Sequence, residues 1–135
     1  MGMSKVVIGY DPSDTGVRAF DTGVELAIAL DAEIHLVTAF TDGAKGSIEI
    51  TAERRDAERL LGKAAGRISA PGAQVFQHAI PEAPSDAIVR VATETGADII
   101  VIGNRGAQGA RRVLGSIASA IVGHAACSVF VVKTN

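Results

Sequence analysis

Four β-branched residues stand in a row at Ile99-Ile100-Val101-Ile102, with no polar residue among them and Gly103 directly after. A strand with one wet face alternates apolar and polar side chains, whereas a strand covered on both faces does not. The run therefore predicts a strand inside a parallel sheet, and parallel neighbours must be joined by crossover segments, usually helices. The rest of the chain supplies both kinds of element in turn. Val6-Val7-Ile8 is a short strand stopped by Gly9; Asp11-Pro12-Ser13-Asp14 is a turn with helix-capping residues, and Val17, Phe20, Val24, Ala27 and Leu30 then recur at helical spacing. Ile34 to Phe40 reads as the second strand, and Ala57, Leu60, Leu61, Ala64 and Ile68 mark a helix ended by Pro71-Gly72.

Val75-Phe76 and Ala79-Ile80 flank a third strand, and Pro84-Ser85 introduces a helix with Ile88, Val91, Ala92 and Thr95 on one face and Gly96 as its C-cap. After the Ile99–Ile102 strand and a glycine-rich loop come Ile117, Ala118, Ile121, Val122 and Ala125 at helical spacing, then the closing strand Val129-Phe130-Val131-Val132. Strict alternation of five strands and four helices predicts a doubly wound α/β fold, a parallel sheet with helices on both faces. Five strands are too few to close a barrel. At 135 residues, and with no linker-like segment, the expectation is one domain over residues 1–135.

Charge and cysteine content remove several function classes. A net charge of −2 offers no basic excess to neutralise a phosphate backbone, so no nucleic-acid partner is expected. Cys127 is the one cysteine, which excludes an intrachain disulfide and any CxxC site and fits a reducing compartment, with the cytoplasm as the expected location. The start of the chain carries no signal-peptide pattern. Val113 to Val132 is free of charge and long enough to span a bilayer, but Gly115, Ser116, Ser119, Gly123, His124 and Ser128 interrupt it and its second half has strand character, so no membrane partner is expected.

In doubly wound sheets the ligand sits beyond the carboxyl ends of the strands, where the strand order reverses. Two loops there are unusual in composition. One is Gly9 to Asp14 after the first strand; the other runs from Gly103 to Ser116 after the fourth. An order of 3-2-1-4-5 would make them neighbours. Glycines at 103, 106, 109 and 115 free the second loop to present consecutive backbone amides to an anion, Ser116 opens the last helix with its unpaired N–H groups, and Arg105, Arg111 and Arg112 add full positive charge. A phosphate site is the reading this favours; a solvated glycine-rich surface loop is the alternative. Asp11 has two readings as well, a hydrogen-bond acceptor for ribose hydroxyls or an amine, or a cap for the first helix, a role for which Ser13 and Asp14 also qualify.

Common phosphate motifs fail. No GxxxxGK precedes Gly115-Ser116, so a P-loop NTPase is excluded. The glycines follow the fourth strand instead of the first, and no Asp or Glu lies beyond Asp98, which counts against a dinucleotide fold. Strand three ends in Ala79-Ile80 with no aspartate to accept phosphate, against a receiver domain, and an aromatic content of 4% leaves little to stack on a flavin.

Taken together, Val6-Val7-Ile8-Gly9-Tyr10-Asp11-Pro12-Ser13, Gly96-Ala97-Asp98-Ile99-Ile100-Val101-Ile102-Gly103, the Gly103-Asn104-Arg105-Gly106 loop, Leu114-Gly115-Ser116 and Cys127-Ser128-Val129-Phe130-Val131-Val132 resemble the universal stress protein family along the whole chain. Nucleotide-binding members of that family carry G-x2-G-x9-G-[S/T]. Gly103, Gly106, Gly115 and Ser116 fall on this pattern with eight residues, not nine, between Gly106 and Gly115. The resemblance implies an adenine nucleotide as ligand, ATP or AMP or cyclic AMP, with Mg2+ accompanying a triphosphate. It implies that Asp11 and Pro12 border the ribose and adenine, that Ala39 offers backbone hydrogen bonds to the base, and that Ile102 packs on it. Gly103, Arg105, Gly106, Gly115 and Ser116 would then take the phosphates, with Ile117 beside them. Pro12, where many relatives have Gly, should stiffen the first loop. The resemblance also implies a homodimer formed through Val129 to Val132, and a regulatory or sensing role in which ATP hydrolysis, lacking a Walker lysine, is at most slow. A dimeric stress protein that binds no nucleotide and acts through protein contacts is the alternative that the shorter loop leaves open.

His35, His78 and His124 share no metal-ligand spacing and read as structural, and Cys127 reads as a small buried hydrophobe.

Overall fold

The computed structural model describes residues 4–41, 51–104 and 114–133. Their elements alternate without exception: β1 (Lys5–Gly9), α1 (Asp14–Leu30), β2 (Glu33–Ala39), α2 (Ala52–Gly66), β3 (Val75–Ile80), α3 (Pro84–Thr95), β4 (Ile99–Gly103), α4 (Ser116–His124) and β5 (Ser128–Val132). All strand pairs are parallel, in the order β3-β2-β1-β4-β5, as the loop signals suggested.

Local chemistry sets the helix ends. Ser13 caps α1, its hydroxyl accepting from the Gly16 amide at 3.1 Å, and Thr51 caps α2 by accepting from the Arg54 amide at 3.2 Å. Pro84 opens α3, where its missing N–H costs nothing, and Gly96 closes it in the left-handed conformation with φ +69°. Several boundaries differ from the sequence reading. β2 takes in Glu33, whose amide donates to the Ser4 carbonyl at 2.8 Å, and stops before Phe40. α2 begins at Ala52, five residues before its first buried apolar position, because the Thr51 cap and not the apolar stripe fixes its start. Ala125, counted as helical from spacing, is the C-cap of α4.

Alternate residues of the sheet feed two separate cores. Val6, Ile8, Ile34, Leu36 and Val101 face Phe20, Ala27 and Leu61 on the α1/α2 side. Val7, Val37, Ile100 and Ile102 face Ile88, Val91 and Ile121 on the α3/α4 side. Each fully buried aliphatic side chain removed from water contributes about 1.5–3 kcal/mol, so neither layer can be lost without the other. The outer strands are less covered: Phe76 on β3 and Phe130 on β5 are 43% and 44% exposed. Among the described residues no helix is long and apolar enough to cross a membrane.

Candidate functional site

A cleft of about 800 Å³ opens at the carboxyl ends of β1, β2 and β4, on the line where α1 turns to one side of the sheet and α3 and α4 lie on the other. It is built from the loop after β1 outward. Tyr10 is buried, donates its amide to the Val37 carbonyl at 2.9 Å and packs edge-to-face on Phe20 at 5.4 Å. The Thr38 hydroxyl donates to the Tyr10 carbonyl at 3.0 Å, so this loop is fastened to the end of β2. Asp11 Oδ1 accepts from the Ser13 amide at 2.8 Å and from the Ser13 hydroxyl. The two readings of Asp11 thus resolve in part: Ser13 caps the helix, while Asp11 holds the turn and lines the cleft.

Two glycines make the close approach possible. A Cβ at Gly16 would run into the Asp11 carbonyl, and one at Gly103 would lie 2.7 Å from the Thr15 carbonyl oxygen. Side chains crowd both places too, Asp11 Oδ1 at Gly16 and Thr15 Cγ2 at Gly103, but the carbonyls are backbone that no rotamer change relieves, and the first turn of α1 seats directly against the end of β4.

The far wall comes from β4 and α4. Ile102 is buried at the cleft floor, and Gly103 follows it. Asn104 is 7% exposed, and its Oδ1 accepts from the Gly115 amide at 2.7 Å. That bond joins the two ends of the glycine-rich loop and leaves the amides of Ser116 and Ile117 at the first turn of α4, where partial positive charge collects. A further wall includes Phe40, just past the end of β2, and Glu53 and Asp56 of α2, with the Arg54 guanidinium 4.8 Å above the Phe40 ring.

The structure brings Asp11, Pro12, Ala39, Ile102, Gly103, Gly115, Ser116 and Ile117 to this one cleft. Arg105 and Gly106, with Gly109, Arg111 and Arg112, lie outside the described residues. Several lining residues were not named as site residues from the sequence, among them Thr38, Asn104, Glu53 and Asp56. Thr38 interrupts an apolar strand and Asn104 directly follows one, which are signals in retrospect; Glu53 and Asp56 belong to the mixed-charge stretch Glu53-Arg54-Arg55-Asp56, which sequence alone assigns to a solvated helix face, and only the tertiary fold turns them to the cleft. Among the described lining residues the charged groups are the carboxylates of Asp11, Glu53 and Asp56, so within that set attraction for an anion rests on backbone amides. Cys127 is half-buried, and burial pushes its thiol up, which fits the unreactive role read from sequence.

Comparison with known proteins bears on the cleft. The sequence profile described as the universal stress protein family matches residues 3–133. A universal stress protein of Methanocaldococcus jannaschii is 30% identical, the match covering 96% of this chain and 81% of that protein. One from Mycobacterium tuberculosis is 31% identical over 96% of this chain and 95% of that protein. Among solved structures, a universal stress protein in complex with cAMP superposes with a TM-score of 0.84 at 28% identity, covering 100% of both chains. A universal stress protein from Archaeoglobus fulgidus in complex with dAMP gives 0.76 at 26% identity, covering 98% of this chain and 100% of that one.

Proposed function

This chain belongs to the universal stress protein family, and on that premise we propose that it binds an adenine nucleotide, cyclic AMP, AMP or ATP, and acts as a regulatory or sensing module. The observation that carries the reading is the convergence of the first-strand loop, the end of β4 and the N-terminus of α4 on one cleft of about 800 Å³. Similar structures solved with cAMP and dAMP support the adenine class.

In this reading the base and ribose lie against Asp11, Pro12, Ala39 and Ile102, surfaces that offer backbone groups and aliphatic contact in place of aromatic rings. Phosphate oxygens accept from the amides at Ser116 and Ile117 and from the 105–106 segment. Gly115 donates its own amide to Asn104, so its part is to keep the approach open. Among the described residues no cluster of three or more His, Cys, Asp or Glu could hold a metal ion; Mg2+ would arrive on the phosphates of a triphosphate. The chain works in the cytoplasm as a homodimer joined along β5, whose outer edge carries unpaired backbone groups and the exposed Phe130. Calorimetric titration of the purified protein with cyclic AMP, AMP and ATP tests the proposal: saturable binding of at least one is the expected result, and binding of none overturns it.

A further inference from the structure

Away from the cleft, the β2–β3 edge holds a chain of three titratable side chains that the nucleotide reading does not use. Glu33 and His35 stand on β2, and His78 on β3. The His35 Nε2 and Glu33 Oε1 are 3.0 Å apart, and the His35 Nδ1 and His78 Nε2 are 2.9 Å apart. A carboxylate accepts only, so His35 donates through Nε2 and its Nδ1 is left as the acceptor for the Nε2–H of His78. With both rings neutral, this fixes the order of donors along the whole chain. His35 is 5% exposed and stacks on the Phe76 ring at 4.8 Å with 12° between planes.

Other charges face this group from every side. Lys5 of β1 pairs with Glu33 in register, and Arg90 and Glu94 of α3 are ion-paired, with Glu94 acting on His78 through space. Arg54 and Glu58 of α2 share with His78 the walls of a smaller cleft. Burial, and then the His35 ring, hold the His78 imidazole below its usual range, against a smaller opposing pull from Glu94.

We propose that Glu33, His35 and His78 form a proton-controlled latch that fastens edge strand β3 to β2 at neutral pH and releases it under mild acid. With both rings neutral, two hydrogen bonds tie His78 through His35 to Glu33. A second proton on the pair would set N–H against N–H at 2.9 Å and break the bond between the rings. The first is resisted by burial, and a released β3 would give His78 back to water, where it binds a proton more readily. Acid thus favours release by mass action. The sign follows: the folded ring binds its proton later than the unfolded one, so the latch is intact above about pH 6.5 and weakens as pH falls from there. β3 is the element to respond because it is an outer strand, paired among the described residues with β2 alone.

The test is hydrogen exchange of the Val75–Ile80 amides between pH 5 and 7.5, corrected for intrinsic rates, on the full chain without nucleotide. Wild type should lose protection roughly three- to tenfold at the acid end, with β1 and β4 unaffected, and His78→Gln should flatten that dependence. A His124→Gln control on α4 should leave it intact. Should His78→Gln fold poorly, ring titration by NMR in wild type decides the matter: His78 should take up its proton at a lower pH than an ordinary imidazole. Equal protection of β3 at both pH values, or ordinary titration of the His78 ring, overturns the proposal. Either readout is independent of whether the cleft takes a nucleotide.

Discussion

The carboxamide of Asn104 accepts from the Gly115 amide at 2.7 Å, closing the chain on itself across the glycine-rich segment between them. This bond sets where α4 begins relative to β4. Replacing Asn104 with Ala leaves the Gly115 amide without its acceptor in a protected place, an expected loss of about 1–3 kcal/mol. Thermal unfolding should show the loss, and nucleotide titration should show weaker binding, since the loop ends would no longer be pinned.

Gly106→Asp puts a carboxylate into the segment proposed to take phosphate. Adenine-nucleotide affinity should fall at least tenfold, about 1.4 kcal/mol, with little change in melting temperature. Equal affinity in both proteins, measured by calorimetry, would remove this segment from the site.

Gly103→Ala places a methyl group 2.7 Å from the Thr15 carbonyl. Because backbone must yield, a destabilisation of about 1–3 kcal/mol is expected. Gly62→Ala, at an exposed α2 position with nothing within 4 Å of the added carbon, should instead stabilise by about 0.5–1 kcal/mol. Urea unfolding of the two variants side by side checks both signs.

Phe130→Asp on β5 should shift the protein toward monomer in sedimentation at micromolar concentration, because a charge would be buried where the proposed copies meet. Val122, on α4 and 49% exposed, is a second exposed apolar position to change. Wild type sedimenting as a monomer at every concentration would refute the β5 dimer.

Much of this architecture could be read from one dimension. Ile99–Ile102 announced a buried parallel strand, and the composition of the loops after β1 and β4 was enough to infer their adjacency and hence the strand order. Contacts made by folding were invisible. Asn104 and Gly115 are eleven positions apart and His35 and His78 forty-three, and no periodicity links either pair. The carboxylates of Glu53 and Asp56 looked like solvated helix surface because their spacing says which face of α2 they share, but not that α2 leans over the cleft. Strand ends shifted for a related reason: Glu33 joined β2 through a bond to Ser4, a partner set by the sheet and not by local sequence.

The seam where Gly16 and Gly103 admit the first turn of α1 against β4 divides the cleft into halves with different prospects for redesign. On the seam side any side chain meets main-chain carbonyls, so no compensating exchange of a neighbouring residue can make room. On the α2 side the wall includes two exposed side chains, Glu53 and Asp56, which can be exchanged without touching the frame. Retuning this protein for a different base or a different charge should therefore begin at positions 53 and 56 and leave the seam alone.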